Sequence, residues 1–107
     1  MILEAPRYYS FMLKYTFAWD DEKARANRKK HGVKFETAQY AFFDEKRIIA
    51  HDEKHSADEN RWFCIGRVND EVITVRFTTR GSNIRIIGAG IWKKWTKYYE
   101  KENNVLR

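Results

Sequence analysis

The first part of the chain has the apolar spacing of one strand followed by one helix. Tyr15, Phe17 and Trp19 alternate with polar or small residues, which is the period of a half-buried strand. Asp20 is a favourable N-cap, and the residues after it begin with acids and end with bases, as the helix dipole favours. The pattern therefore predicts a helix that ends at Gly32 and has only a thin apolar face.

A second, shorter helix and then a run of strands are predicted downstream. Phe35, Ala38, Ala41 and Phe42 fall near helical spacing, and this helix ends by Asp44. Four stretches of strand character follow, at residues 47–51, 61–67, 71–79 and 83–89. The chain thus changes from helices to strands near its middle.

Turn-forming residues separate the last three of these strands. Asn69-Asp70 and Gly81-Ser82 lie where tight turns would join antiparallel neighbours, which predicts a meander. With a final helix after the strands, the order is β-α-α-β-β-β-β-α. Helices grouped before a run of strands, with one after it, predict an α+β fold in which the helices pack on an antiparallel sheet.

The final helix carries aromatic and basic residues. Trp92, Trp95 and Tyr99 repeat at three and four residues, which favours a stripe facing the core over a platform for stacking bases. Lys93 and Lys94 then lie on a side of the helix that either is solvated or faces RNA.

Composition narrows the class of protein. The 107 residues suit one domain, assigned to 12–107, with 1–11 as an N-terminal extension of unassigned role and Met12 as an alternative start of translation. The net charge of +6 favours a partner such as nucleic acid or an acidic protein. A single cysteine, Cys64, allows no internal disulfide, and no apolar run reaches the roughly 18 residues of a membrane span. A cytoplasmic protein without membrane association is expected.

One loop holds the densest group of polar side chains. As a catalytic site, His55 or Glu59 would transfer a proton near neutral pH and Arg61 would hold a phosphate. As a plain connection, the acids and the serine of the loop would bond to nearby backbone. His51, Asp52 and His55 also have ligand types that zinc accepts, although no fourth ligand is evident. The residues alone leave these interpretations open.

Arginines recur on the predicted strands, where strand alternation decides which of them share a face. The four are Arg67, Arg76, Arg80 and Arg85. Their guanidinium groups either converge to stabilise the charge of a phosphate transition state or lie on the solvent face of a half-buried sheet. His31 is likewise either a cation at a helix C-terminus or a substrate contact.

Five blocks of sequence, in order, resemble the BrnT family of bacterial type II toxins. They are FAWDDEKARANRKKHGVKF at 17–35, DEKHSADENRW at 52–62, IGR at 65–67, TTRG at 78–81 and RII at 85–87. The resemblance runs from about Phe17 to Tyr99. It implies a RelE-like α+β fold and a metal-independent endoribonuclease that inhibits translation.

Partners are also implied by the resemblance. They are RNA, either free or on the ribosome, and a BrnA-like ribbon-helix-helix antitoxin that neutralises the toxin. Operator DNA would be reached only through that antitoxin, in a complex that represses its own operon. No cofactor and no metal are expected.

The family motifs, together with the strand and helix patterns, define the candidate residues. The catalytic candidates are His55, Glu59, Arg61, Arg80 and Arg85. The candidates for RNA contact are Lys30, His31, Arg67, Arg76, Lys93 and Lys94. In the implied reaction the 2′-hydroxyl of the substrate attacks the adjacent phosphate, so the protein needs no nucleophile of its own.

One departure from the family pattern leaves two hypotheses of different class. Such toxins usually read ISAR where residues 87–90 here read IGAG, so a hydroxyl and a guanidinium are missing. Loss of one donor to a transition state costs on the order of 2.7–4 kcal/mol. The chain is then either an active ribonuclease, in which Arg85, Lys93 or Lys94 substitutes, or a weakened toxin-like domain that binds the antitoxin as a corepressor. A general RNA-binding module is disfavoured, because no familiar motif for single strands appears.

Overall fold

A computed structural model describes residues 15–104 of the chain. The extension predicted at residues 1–11, and Met12, lie outside the described residues. The strands are β1 (Thr16–Ala18), β2 (Ile48–His51), β3 (Arg61–Val68), β4 (Glu71–Arg80) and β5 (Asn83–Gly90). The α-helices are α1 (Asp21–His31), α2 (Phe35–Ala38) and α3 (Lys93–Glu102), and two 3₁₀ segments span Gln39–Phe43 and Glu53–His55. The predicted α+β class is confirmed.

The five strands form one sheet in the order β1-β5-β4-β3-β2. The predicted meander is present, because β3, β4 and β5 pair antiparallel in sequence. Its two turns contain Asn69 and Gly81 at φ values of 56° and 59°, a region that asparagine and glycine enter most easily.

The prediction of an antiparallel sheet is wrong for β1, so the sheet is mixed. β1 pairs parallel to β5, with Thr16 opposite Asn83 and Ala18 opposite Arg85. A parallel pair needs a long connection, and here the connection comprises the helices and the other strands. Turn residues reveal only pairings between neighbours in sequence, so nothing in the local pattern indicated this one.

Helix α1 is held by its caps and by one polar side chain rather than by an apolar face. Asp20 caps it by accepting the N–H of Lys23 at 3.0 Å, a bond that lowers the pKa of Asp20, and Gly32 ends it at φ 73°. None of its residues is buried. Instead Asn27 forms two hydrogen bonds with the backbone of Ala89, donating to its carbonyl at 2.8 Å and accepting from its N–H at 3.1 Å. This pair fastens α1 to β5.

The main core lies between one face of the sheet and the segment from α2 through Gln39–Phe43. Phe35 and Phe42 pack there against strand residues such as Cys64, Val75 and Ile86. The approach is close, because a Cβ on Gly66 would lie 2.3 Å from the carbonyl oxygen of Ala41. A residue larger than glycine is therefore excluded from this point of β3.

A second, smaller core lies on the opposite face, where α3 covers one end of the sheet. Tyr99 is 1% exposed and packs with Ile65 and Val72. Its hydroxyl donates to a carboxylate oxygen of Asp44 at 2.5 Å, and the same oxygen accepts the backbone N–H of Arg67 at 2.7 Å. This contact joins the helix, the sheet and the end of the 3₁₀ segment.

The predicted aromatic stripe of the final helix is only partly a core contact. Tyr99 is buried and Trp95 is half-buried, but Trp92 is 41% exposed and precedes the first turn of α3 as its N-cap. The spacing of the aromatic residues therefore predicted a longer apolar face than α3 has, because the helix begins one residue after Trp92. No helix within residues 15–104 is long and apolar enough to cross a membrane.

The Tyr99 contact predicts how stability depends on pH. Burial, reinforced by the Asp44 carboxylate, raises the pKa of Tyr99 from 10.0 to about 12. Because the folded state holds the proton more tightly, the contribution is complete below pH 10 and is lost as the pH rises towards 12. Tyr99→Phe should lower the free energy of unfolding at pH 7 by about 1–2 kcal/mol.

Urea unfolding of both proteins between pH 7 and 11 tests this expectation. The parent should lose stability relative to Tyr99→Phe above pH 10, by about 1.4 kcal/mol at pH 11. Parallel curves with a constant difference would contradict the coupling between ionisation and folding.

Candidate active site and the adjoining groove

The loop between β2 and β3 closes over the ends of β3 and β4 and forms a small pocket. Four of the five predicted catalytic residues line it, namely His55, Glu59, Arg61 and Arg80. The loop reaches this shape through short hydrogen bonds. The Ser56 hydroxyl donates to the carbonyl of Asp52 at 2.6 Å and accepts the N–H of Arg61 at 3.0 Å. These hydrogen bonds give the loop a defined conformation, so it is more than a plain connection between the strands.

Glu59 lies between two arginines of this pocket. Its carboxylate oxygens are 3.7 Å from Arg61 and 3.5 Å from Arg80. All three side chains are partly exposed, and the Nε atom of Arg61 is buried without a hydrogen-bond partner among the described residues. The guanidinium groups are thus held together by one carboxylate and keep donors for a further anion.

A buried carboxylate orients His55. Asp52 is 4% exposed, and its oxygens lie 2.9 and 3.1 Å from Nδ1 of His55. One of these oxygens is also 3.4 Å from Nε of Arg76. An ionised carboxylate only accepts hydrogen bonds, so Nδ1 carries a hydrogen, and in the neutral imidazole Nε2 is left as the acceptor.

The orienting role of Asp52 was not predicted from the sequence. The polar loop suggested for Asp52 only a hydrogen bond to nearby backbone or a place among zinc ligands. Spacing alone could have suggested a contact, since Asp52 and His55 are three residues apart, but the burial of Asp52 cannot be read from a polar loop.

Strand register places the predicted arginines on one face of the sheet. Arg61 is opposite Thr78, which is opposite Arg85, and Arg76 lies in the next row between Phe63 and Gly88. This is the face that α3 covers at its other end. Arg85 therefore shares the face but does not line the pocket of His55.

Arg67 lies on the same face at the opposite end of β3. Its guanidinium carbon is 5.8 Å from the centre of the Tyr99 ring, beneath α3. It borders a different depression, together with Asp44 and Tyr40. The structure therefore does not bring Arg67 together with the other candidates.

A wider groove, of about 570 Å³, lies on the open part of this face between α1 and the start of α3. It brings together four of the predicted RNA contacts, Lys30, His31, Arg76 and Lys94. Lys93 is exposed on α3 and does not line it. Since Arg76 also contacts Asp52, one ion pair connects the groove to the residue that orients His55.

Gly88 and Gly90 have different surroundings, and Gly88 lines the groove. A Cβ on Gly88 would have only the Asn27 side-chain oxygen nearby, at 3.7 Å. A Cβ on Gly90 would lie 2.5–2.8 Å from three ring atoms of Trp92. A serine therefore fits at residue 88, whereas an arginine at residue 90 requires the indole of Trp92 to move.

Cys64 and His51 both have surroundings that indicate a structural role. Burial raises the pKa of the Cys64 thiol far above its usual value, so the thiolate nucleophile is disfavoured. His51 Nε2 lies 3.2 Å from the Ser56 hydroxyl and 3.3 Å from the Asn60 side-chain oxygen. Within residues 15–104, no group of three His, Cys, Asp or Glu side chains is arranged to hold a metal ion.

Comparison with known proteins agrees with the motifs. The family model for the ribonuclease toxin BrnT of type II toxin-antitoxin systems matches residues 19–95, which include the loop of His55, the arginine-bearing strands and all the residues that line the groove. No curated protein matches the sequence. A match over more than half of the chain shows the family, and we conclude that this chain belongs to the BrnT family of type II toxin-antitoxin ribonuclease toxins.

Proposed function

We propose that the chain is an active, metal-independent endoribonuclease, and that His55 and the neighbouring arginines form its catalytic centre. One observation carries the proposal. The loop holds His55, oriented by buried Asp52, in the same pocket as Arg61 and Arg80. An oriented imidazole beside two guanidinium groups is a proton-transfer group beside a phosphate-binding pair.

The substrate supplies the nucleophile in this reaction. Nε2 of His55 takes the proton from a 2′-hydroxyl as its oxygen bonds to the adjacent phosphorus. Arg61 and Arg80 donate to the non-bridging oxygens and stabilise the charge of the pentacovalent phosphorane. The bond to the 5′-oxygen then breaks and a proton from His31 or a groove lysine neutralises that oxygen, which leaves a 2′,3′-cyclic phosphate and a 5′-hydroxyl.

Glu59 and His55 are both candidates for the base, and the contacts favour His55. Glu59 already faces a guanidinium with each of its two oxygens, whereas Nε2 of His55 is left as an acceptor. Glu59 then holds Arg61 and Arg80 at one place before RNA binds. Arg85 adds a third guanidinium to the same sheet face, in the row of Arg61 and Thr78.

The setting of this activity is proposed from the family. The domain is RelE-like, acts in the cytoplasm and inhibits translation by cutting RNA, either free or on the ribosome. A BrnA-like ribbon-helix-helix antitoxin neutralises it, and the complex binds operator DNA through the antitoxin. The net charge of +6 suits both RNA and an acidic antitoxin segment.

A second candidate function is supported by the glycine positions. Without a guanidinium at residue 90, the domain would serve as an antitoxin-binding corepressor with weakened catalysis. The indole of Trp92 fills the space beside Gly90, so the side chain is not merely absent but replaced.

The arginine pair gives the first prediction about activity. In the presence of a chelator, the purified chain should cleave a defined RNA, and Arg61→Ala or Arg80→Ala should each lower kcat by about 100- to 1,000-fold, because each removes a transition-state donor. Arg25→Ala, an exposed arginine on α1, is the matched control and should cleave like the parent. Cleavage that needs added metal, or that survives both substitutions, would contradict the mechanism.

The role of Asp52 gives the second prediction about activity. Asp52→Asn keeps the size of the side chain but removes the charge that orients His55, so kcat should fall by about 100-fold or more with little change in KM. His55→Ala should cause a similar loss. Because the two residues act as a unit, the double variant should be scarcely worse than either single variant. Losses that multiply in the double variant would show that Asp52 acts independently of His55.

Gly88 and Gly90 give the third prediction about activity, which distinguishes the two candidate functions. Expression of the parent chain without antitoxin should arrest bacterial growth if the proposed function is correct. Gly88→Ser should fold normally, whereas Gly90→Arg should be destabilised by about 1–3 kcal/mol unless Trp92→Ala accompanies it. Growth arrest only by the variant that carries all three changes would instead support the corepressor.

A further inference from the structure

The groove between α1 and α3 has the charge of a site for a polyanion. Basic side chains line it from three different elements, namely Lys23, Lys30, His31, Arg76 and Lys94. No Asp or Glu is among its lining residues. Phosphate groups are the anions that such a combination of lysine and arginine donors holds most readily.

The same groove presents aromatic rings. Trp92 and His31 are in contact, with ring centres 5.1 Å apart, and Phe63 and Trp95 form a second pair at 5.1 Å. Trp92 is 41% exposed, so part of its ring is open to a ligand in the groove. Rings of this kind stack on nucleobases with little regard for sequence.

The position of the Trp92 ring is set by the glycine beneath it. Ring atoms occupy the space where a Cβ of residue 90 would lie, so the indole rests on bare backbone at Gly90. Contact with His31 restricts it from α1. An exposed ring that is restrained on two sides loses little conformational entropy when a planar ligand stacks on it.

The floor of the groove has room and an unused polar group. Gly88 contributes no side chain opposite Arg76, which leaves the sheet surface open at that point. Thr74 is 1% exposed, lines the groove, and its hydroxyl has no hydrogen-bond partner among the described residues. A buried polar group without a partner is costly, so a polar ligand atom or a water there would be stabilising.

We propose that this groove is a nucleotide subsite, in which one base of the RNA stacks on the indole of Trp92 while Lys30, Arg76 and Lys94 hold the flanking phosphates. The proposal rests on the proposed function, since it assigns one nucleotide of the same substrate. Arg76 contacts both the groove and Asp52, so the subsite adjoins the catalytic pocket. The bound base then sets where the neighbouring phosphate lies relative to His55.

A binding experiment that does not depend on cleavage tests the subsite. The probe is a fluorescent octanucleotide of 2′-O-methyl adenosine, which lacks the attacking hydroxyl, compared with an abasic oligomer of equal charge. The parent should bind the probe about tenfold more tightly than the abasic oligomer, because stacking on an aromatic ring is sequence-tolerant but requires a base. Trp92→Ala should abolish that preference and Trp92→Phe should retain most of it. Tyr40→Ala, at an exposed tyrosine outside the groove, should bind like the parent.

The outcomes separate this proposal from the catalytic one. Equal binding of both oligomers by the parent would overturn the subsite, as would a base preference that survives Trp92→Ala. An equal loss for both oligomers in Trp92→Ala would also overturn it, because a stacking contact acts only on the oligomer with bases. Cleavage of unmodified RNA is measured in parallel, so a chain that cuts RNA without a Trp92-dependent preference keeps its proposed function and loses only the subsite.

Discussion

The burial of the Asp52 carboxylate is the constraint on which the geometry of the site depends. An ionised group that is 4% exposed must be compensated by partners, because isolated burial of a charge is very costly. Two partners are close to it, the imidazole of His55 and the guanidinium of Arg76. The need to compensate this charge therefore has two consequences. It orients His55 in the loop, and it holds Arg76 at the boundary between the sheet face and the groove.

The uneven cover of the sheet explains why the site lies where it does. Helix α3 covers one end of the face through Tyr99, whose hydroxyl bonds to Asp44, and leaves the other end open. Alternation along β3 and β4, together with the pairing of β4 and β5, then places Arg61, Arg76 and Arg85 on the open end, and the register between β4 and β5 shifts between Arg76 and Phe77. Like charges on neighbouring strands repel each other, and Asp52 and Glu59 offset part of that repulsion. A bound phosphate would relieve that repulsion, so the charge arrangement favours an anionic ligand.

Local sequence patterns were sufficient to predict the helices, strands and turns. Strand pairings and burial that depend on distant residues could not be predicted from them. The caps of α1, the turns at Asn69 and Gly81 and the shared face of the arginines were predicted because each depends on a few neighbouring residues or on a fixed period. The parallel pairing of β1 depends on the whole intervening chain. The burial of Asp52 depends on Arg76, which is more than twenty residues away. The loop could therefore be predicted as a candidate site from its sequence, whereas the role of Asp52 in orienting His55 could not.

The glycines illustrate how far a motif can be interpreted without its surroundings. From the sequence, Gly90 is a missing guanidinium, and its absence suggests weaker catalysis. In the structure the space beside Gly90 holds the indole of Trp92, which a larger residue would displace. Gly90 and Trp92 therefore depend on each other, because the small residue allows the large ring to lie on the strand and face the groove. A change that removes a charged donor from the site also creates an aromatic surface beside Lys30, His31 and Lys94, and both belong to the chemistry of holding RNA.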